Sequence, residues 1–380
     1  MKAVILAGGY GTRLRPLTYT TPKTMLPICD KPVLHWIIDS LKNNGFDEII
    51  ITTNYLEDQI KNYFGDGSKF GVKIYYPKEK EPLGTAGSVK NAEKYLDETF
   101  GVIQSDNITE ISLADALKYH KEKKDGIATI SLVDVENPWQ FGIAELNRKK
   151  QIKRFVEKPK PDECFSNLAS TGLYVLEPEV LDYIPENTPF DFAKDLFPLL
   201  LKRGKRIYGY KAEGFWVDVG KPEGYMKATE WIVSRIKKHI SETAEIEGKV
   251  EGPVYIGENT IIEKGSKVEG PAIIENDCVI ESGAQVYPCS IIKSGVTIGS
   301  ETRVDKAVTY KNSKIASGAY LQECIIAENC DVGNRVEIGK LAVVGPNCKI
   351  EDATTVLPGS RIWPDLWIEG QISGIVRTRI

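Results

Sequence analysis

Residues 274–304 read IENDCVIESGAQVYPCSIIKSGVTIGSETRV, and this stretch decides the fold of the C-terminal third of the chain. A β-branched residue occupies every sixth position of it: Ile274, Ile280, Val286, Ile292, Ile298 and Val304. A period of six corresponds to one short strand plus one turn, with the β-branched side chain pointing inward. The stretch therefore predicts a stack of short parallel strands.

The same period extends in both directions. It begins upstream at Val250, Ile256, Ile262 and Val268, and it resumes downstream at Ile326, Val332, Ile338, Val344, Ile350, Val356, Ile362 and Ile368. The register slips near Tyr310–Tyr320, which predicts a loop or a corner insertion. Eighteen such hexads resemble the left-handed parallel β-helix with three hexads per triangular coil, so residues 244–380 are expected to form about six coils.

Residues 1–221 alternate strand-like and helix-like segments instead. Strands are predicted at 2–7, 48–53, 72–76, 101–104, 127–133 and 206–210, and helices at 33–43, 59–64, 112–123 and 191–202. This alternation predicts an α/β domain with a Rossmann-like mixed, mostly parallel sheet and helices on both faces. Apolar residues at helical spacing up to Ile240 predict a linker helix over residues 222–243.

Composition narrows the function classes. The net charge of −4 gives no general attraction to nucleic acid, and no apolar run is long enough to cross a bilayer. The seven cysteines include no C-x-x-C pair, which favours a reduced, cytoplasmic compartment. Because the net charge is negative, any affinity for phosphate must come from a local site.

A glycine-rich turn with cations supplies such a site. Residues 6–18 read LAGGYGTRLRPLT, and residues 22–27 read PKTMLP. Glycines let the backbone approach a ligand and direct its N–H groups at an anion, while Arg13, Arg15 and Lys23 add positive charge. A lone G-G-x-G would be an ordinary turn, but the cations at these spacings favour phosphate binding.

These two motifs resemble the sugar-1-phosphate nucleotidylyltransferase family, and the resemblance extends along the whole chain. It implies transfer of a nucleoside monophosphate from an NTP to a sugar 1-phosphate, with release of pyrophosphate. The resemblance assigns nucleotide binding to Leu6, Ala7, Gly8, Gly9, Gly11, Thr12, Glu81, Gly84, Thr85 and Ser105. Residues 81–88 are similar to the family's base- and ribose-contacting loop, and Ser105 stands where the family usually has glycine.

The resemblance also implies the catalytic residues. Taken alone, an aspartate at a strand end is more often a helix cap than a ligand. By resemblance, Asp106 and Asp218 bind one Mg²⁺, Arg13 contacts the β- and γ-phosphates, and Lys23 lies near the α-phosphate. The nucleophile is a phosphate that is already ionised, so positioning and charge neutralisation are expected to suffice without a general base.

The sugar-phosphate site is implied in the same way. The resemblance places Gly142, Glu157, Lys158, Ser170 and Thr171 there, and many relatives have asparagine where Ser170 stands. Residues 137–142 and 189–198 look like those of prokaryotic mannose-1-phosphate guanylyltransferases, which favours GTP and mannose 1-phosphate. Uridylyl or thymidylyl transfer to glucose 1-phosphate is the alternative.

Two other classes of protein are considered. A catalytically silent, sugar-nucleotide-binding regulatory subunit would be expected to lose Arg13, Lys23 or an aspartate, and none is lost. A β-helix acyltransferase would need a histidine base, and no histidine follows His239. The β-helix is therefore expected to join copies of the chain into a homo-oligomer.

Overall fold

The structure, a computed structural model, describes residues 1–79 and 81–378. It divides into two compact units. The first comprises Met1–Tyr10, Pro22–Met25 and Pro32–Asp218, and the second comprises Gly11–Thr21, Leu26–Lys31 and the chain from Val219 onward. The two short N-terminal segments of the second unit have no counterpart in the predicted domain limits.

Within the described residues, the first unit is built on a sheet of nine strands. They are β1 (Lys2–Leu6), β2 (Glu48–Thr52), β3 (Lys73–Tyr75), β4 (Phe100–Gln104), β5 (Ala128–Asp134), β6 (Gly142–Leu146), β7 (Ile152–Glu157), β8 (Leu168–Leu176) and β9 (Ile207–Lys211). The order β7-β6-β8-β4-β1-β2-β3 forms the main path, and β5 joins β8 to β9. The pairs around β1 and the β5–β9 pair are parallel, while β8 runs antiparallel to its neighbours. The predicted α/β class with a mixed sheet is confirmed.

Five α-helices accompany this sheet over the described part of the first unit, and a π-helix at Phe192–Leu196 directly precedes the last of them. The α-helices are α1 (Val33–Asn43), α2 (Glu57–Phe64), α3 (Gly84–Asn91), α4 (Leu113–Glu122) and α5 (Phe197–Lys202). The N-cap Ser112 accepts a hydrogen bond from the Asp115 amide at 3.1 Å, which begins α4 one residue after its predicted start. The sequence analysis predicted four of these helices but treated the residues of α3 as a loop.

The helix after the first unit, α6, spans Pro222–Val233 and is shorter than predicted. His239–Ile240 already forms the first strand of the C-terminal domain and pairs with Val254–Ile256, so the linker helix expected to reach residue 243 is wrong beyond Val233. Of the helices in the described residues, none combines the length and apolar character that crossing a membrane requires.

The rest of the second unit is a parallel β-solenoid. Over the described residues its three sheets contain nine, eight and eight strands, which amounts to about eight coils rather than the predicted six. The extra strands come from the start of the domain, from its short last coil and from the stretch where the register slips. Its interior is filled by the predicted β-branched residues, from Ile256 to Ile368, which are almost completely buried.

The slip in register has a different cause from the predicted insertion. Val286 pairs with Val304, eighteen residues later, but Ile292 pairs with Thr309, only seventeen residues later. The spacing returns to eighteen where Ile326 pairs with Val344. Two corners have therefore each lost one residue, and the strands continue through this stretch without interruption. The insertion predicted at Tyr310–Tyr320 is wrong.

Cysteines of the solenoid serve as small core residues. Cys278, Cys324, Cys330 and Cys348 each stand two residues before an inward-pointing strand residue, and all four are buried. Alanine, serine or threonine occupies the same position in most other coils and valine or leucine in a few, so this position favours a small or medium-sized side chain. All seven cysteines lie among the described residues as free thiols.

Candidate active site

An ion pair between Lys23 and Asp106 marks the centre of the site in the first unit. Asp106 follows strand β4, and Lys23 begins a single 3-10 turn, Lys23–Met25. The ammonium contacts Oδ2 of Asp106, and each side chain is only 11% exposed. Burial by itself would raise the pKa of the Asp106 carboxyl, but the charge and hydrogen bond of Lys23 hold that pKa below its usual range. Asp106 is therefore a carboxylate at neutral pH.

Asp218 reaches the same place through a two-stranded ribbon. Asn107–Thr109 pairs with Trp216–Asp218, and this register sets Asp218 directly opposite Asn107. The Asp218 side chain is close enough to help lower the pKa of the Asp106 carboxyl, so the two predicted metal ligands lie together.

The donor set fits a divalent cation. Oδ1 of Asp106 is buried and has no hydrogen-bond partner among the described residues, and an oxygen of this kind is a natural ligand. The same residues hold no cluster of three or more His, Cys, Asp or Glu side chains able to bind a metal by themselves. Mg²⁺ sites typically combine one or two carboxylates with substrate phosphates and water. Asp106 and Asp218 therefore suit Mg²⁺ better than a metal that takes all its ligands from the protein.

A cavity of about 290 Å³ opens beside this centre. It is lined by six of the predicted nucleotide-binding residues: Leu6, Gly8, Gly9, Gly84, Thr85 and Ser105. Gly84 has a φ of +71°, and a Cβ there would lie 2.8 Å from the carbonyl oxygen of Phe190, so only glycine is compatible with this wall. Pro82, Leu83 and Ser88 of the predicted 81–88 segment also line the cavity, together with residues that the sequence analysis missed: Thr52, Asn54, Glu79, Gln104 and Asp191.

The segment predicted as a base-contacting loop differs in structure. Residues from Gly84 onward form α3, and Glu81 is exposed and does not line the cavity. Glu79 lines it instead, and Oε1 of Glu79 is buried without a hydrogen-bond partner among the described residues. Burial raises the pKa of the Glu79 carboxyl, and the nearby Ser88 hydroxyl partly offsets this rise. The sequence offered no signal to separate Glu79 from Glu81.

The remaining nucleotide-binding candidates do not line the cavity. Ala7 is buried in the sheet, where its amide donates to the carbonyl of Thr52 at 2.8 Å. Gly11, Thr12 and Arg13 belong to the second unit, where Gly11 adopts a φ of 62° and the Thr18 hydroxyl donates to its carbonyl at 2.8 Å. The contact of Arg13 with the phosphates stays a prediction.

The predicted sugar-phosphate residues lie on, or directly after, the neighbouring strands β6, β7 and β8. Gly142 begins β6 and pairs with Glu157 at the end of β7, and a Cβ at Gly142 would lie 2.7 Å from Oε2 of Glu157. Lys158 follows with a left-handed φ of 46°, and its ammonium lies 3.3 Å from the Glu157 carboxylate. Glycine at position 142 thus leaves the Glu157 carboxylate accessible beside a cation.

Strand β8 contributes Ser170 and Thr171, which differ in burial and in their hydrogen bonds. Thr171 is buried and donates to the carbonyl of Ser131 at 3.0 Å, while its own carbonyl accepts hydrogen bonds from Asn107 and the Trp216 indole. Ser170 is only half-buried, and its hydroxyl accepts from the Gly172 amide at 3.4 Å. Thr171 therefore supports the backbone of the site, and Ser170 is the member that could meet a ligand through its side chain.

Comparisons with known proteins identify the family of the chain. The nucleotidyl transferase family model matches residues 2–235, and the model of the GMPPB C-terminal domain matches residues 268–374. The mannose-1-phosphate guanyltransferase of Yarrowia lipolytica is 38% identical over 380 residues, covering 98% of each chain. A UTP–glucose-1-phosphate uridylyltransferase of Synechocystis is 38% identical over 296 residues, covering 70% of this chain and 76% of its own.

Among solved structures, HddC from Yersinia pseudotuberculosis in complex with GMP-PN matches with a TM-score of 0.53 and 30% identity. That match covers 61% of this chain and 99% of HddC. The predicted resemblance is thus confirmed by a family model over most of the chain and by full-length relatives. The chain belongs to the nucleotidyl transferase family.

Proposed function

We propose that this protein transfers GMP from GTP to mannose 1-phosphate and releases GDP-mannose and pyrophosphate. The observation that carries the proposal is the pairing of Lys23 with Asp106 and Asp218 beside a cavity of nucleotide-binding residues. The mannose-1-phosphate guanyltransferase relative aligns over nearly the whole length of both chains, solenoid included, which supports these particular substrates.

Glu79 supports guanine as the base. Its carboxylate lines the cavity with one buried oxygen that lacks a partner among the described residues. Guanine presents two adjacent donors, N1–H and the N2 amino group, and a carboxylate can accept from both. Uracil and thymine present a single N–H flanked by two carbonyl oxygens, which a carboxylate would repel. The position of Glu79 therefore favours GTP over UTP or dTTP.

The residues of the site suit an in-line displacement. An oxygen of the sugar phosphate attacks the α-phosphorus, the bond to the β-phosphate oxygen breaks, and pyrophosphate leaves with the electron pair. Lys23 would donate to the α-phosphate oxygens as charge accumulates there. Asp106 and Asp218 would hold Mg²⁺, which supplies charge neutralisation for the triphosphate when bound. The half-buried Glu157 would accept hydroxyls of the sugar, and the Lys158 ammonium would pair with its phosphate.

Uridylyl transfer to glucose 1-phosphate is the second candidate, supported by the Synechocystis relative. The experiment that separates the candidates is a matrix of GTP, UTP, dTTP and ATP against mannose, glucose and N-acetylglucosamine 1-phosphates, scored by pyrophosphate release with Mg²⁺. We expect the highest kcat/KM for GTP with mannose 1-phosphate. A preference for UTP with glucose 1-phosphate would select the second candidate, and no release with any pair would favour a silent regulatory subunit.

Association of copies through the solenoid is a further part of the proposal. The described residues of the solenoid include exposed large apolar side chains, among them Tyr255, Ile261, Trp367 and Ile375. Exposed apolar groups of this size are common at subunit interfaces. Light scattering on the purified protein should give a mass of at least two chains of 42.3 kDa each. A mass of a single chain at micromolar concentration would refute this part of the proposal.

A further inference from the structure

Two chain segments that flank Lys23 belong to the second unit, although Lys23 itself belongs to the first. Gly11–Thr21 precedes it and Leu26–Lys31 follows it, while Pro22–Met25 stays with the first unit. We call Leu26–Lys31 the anchored turn. The 3-10 turn at Lys23 is closed by a 2.8 Å hydrogen bond from the Met25 amide to the Pro22 carbonyl, and Leu26 comes next along the chain.

Two buried tyrosines hold the beginning of the anchored turn. The Tyr225 hydroxyl donates to the carbonyl of Pro27, and it lies 3.0 Å from the hydroxyl of Tyr310 in the solenoid. Tyr225 is 1% exposed and Tyr310 is 7% exposed. Burial raises the pKa of both phenols well above the ordinary value, so both remain neutral donors. The two hydroxyls thus form a short chain of hydrogen bonds that ends on the turn.

A buried lysine of the solenoid holds the middle of the same turn. Lys293 is 5% exposed, and its ammonium donates to the carbonyl of Cys29 and to Oε1 of Glu275, the latter at 2.5 Å. The other carboxylate oxygen of Glu275 accepts from the amide and hydroxyl of Ser294 at 3.1 and 3.0 Å. Cys29 has a left-handed φ of 55°, as the first residue of the two-residue turn that joins the paired strands Pro27–Ile28 and Lys31–Pro32.

A buried ion pair on a solenoid needs a reason. Removing an ammonium and a carboxylate from water carries a desolvation penalty, and apolar residues would fill the same position without that penalty. The pair at Lys293 and Glu275 satisfies a backbone carbonyl of the anchored turn, which apolar side chains could not do. Within the second unit, the segment before Lys23 also contacts the solenoid, since the ring of Tyr19 lies edge-on to that of Trp363 at 5.6 Å.

We propose that Tyr225, Tyr310 and Lys293 are positioning residues for Lys23. Pro27 and Cys29 follow Lys23 by only four and six residues, so contacts that fix their carbonyls limit the movement of the hydrogen-bonded turn that carries Lys23. The solenoid then takes part in nucleotidyl transfer through the chain that enters the active site, beyond any role in joining copies. This inference rests on the proposed function, because it assigns Lys23 a role in the transfer step.

Kinetics of the full-length chain test the proposal. Tyr225→Phe removes one hydroxyl, and Lys293→Met combined with Glu275→Gln removes the ion pair without leaving a lone charge. We expect each to lower kcat by about 10- to 100-fold, the loss that a displacement of about 1 Å at a catalytic group produces. The KM for the NTP should change less than about twofold, because the loss falls on the transition state.

Matched controls come from the solenoid itself. Tyr287 donates to Gln285 at 2.6 Å, and Lys340 pairs with Glu323 at 3.2 Å. Tyr287→Phe and Lys340→Met should retain wild-type kcat. Equal kcat in the Tyr225 variant, the Lys293 double variant and these controls would overturn the proposal.

Hydrogen exchange provides a readout that needs no substrate. Amides of residues 22–31 should exchange at least about tenfold faster in the double variant than in wild type, while the rest of the solenoid keeps its protection. Unchanged exchange at residues 22–31 would overturn the anchoring. If the wild-type chain releases no pyrophosphate with any substrate pair, the proposed function fails, and faster exchange would still support the anchored turn.

Discussion

Replacing Glu79 by glutamine tests whether this carboxylate reads the base. The change keeps the size of the side chain and replaces one acceptor oxygen by an NH₂ group, which would face a guanine donor. Hydrogen bonds to a charged group contribute about 1.5–3 kcal/mol each. Because Glu79 is only half-buried, we take about 2 kcal/mol, which corresponds to about a 30-fold loss of kcat/KM for GTP.

The matched control is Glu81→Gln, two residues away. Glu81 is exposed and outside the cavity, so its substitution should change kcat/KM for GTP by less than about twofold. Steady-state pyrophosphate release with GTP and with UTP provides the measurement, and the ratio between the two nucleotides should fall in the Glu79 variant alone. An equal effect of both substitutions, or a larger effect at Glu81, would refute the assignment.

The same substitution has a predicted effect on stability. Burial raises the pKa of the Glu79 carboxyl in the folded protein above the value of the unfolded chain. A raised carboxyl pKa means that the ionised group opposes folding at neutral pH, and that this cost disappears as the pH falls below the unfolded pKa. Glu79→Gln should therefore raise the Tm at pH 7.5 and lose this advantage near pH 4. A lower Tm at pH 7.5 would contradict the reasoning.

Three further predictions follow from the same geometry. Asp106→Asn removes the negative charge shared by Lys23 and the proposed metal, and it should lower kcat at least about 100-fold in Mg²⁺-dependent pyrophosphate release; undiminished release would exclude the metal assignment. Gly142→Ala places a methyl group 2.7 Å from Glu157 Oε2, and overpacking of about 1–3 kcal/mol should raise the KM for the sugar 1-phosphate about tenfold while the KM for the NTP stays constant. Cys164 is half-exposed whereas the other six cysteines are buried, so a thiol reagent should modify one group in the native protein and seven after unfolding; fast reaction of a second native thiol would count against the described packing.

Much of the active site could be predicted because its motifs are local. Gly8, Gly9 and Lys23 lie on short segments whose residue types already indicate phosphate binding, and the structure places them around one cavity. Glu79 could not be distinguished from Glu81 in the same way. Glu79 lines the cavity whereas Glu81 is exposed, and only the folded structure shows this difference.

For the C-terminal domain, the sequence alone determined the architecture, since a period of six with β-branched residues is compatible only with short stacked strands. Only the tertiary structure decided the number of coils. Thr309 and Leu321 occupy inward positions but do not fit the period of six valine and isoleucine residues, so their strands are recognised only by their pairing with neighbouring coils. It also decided that the segments flanking Lys23 belong with the solenoid. Contacts such as that of Lys293 with Cys29 join residues 264 positions apart, and no local pattern carries such information.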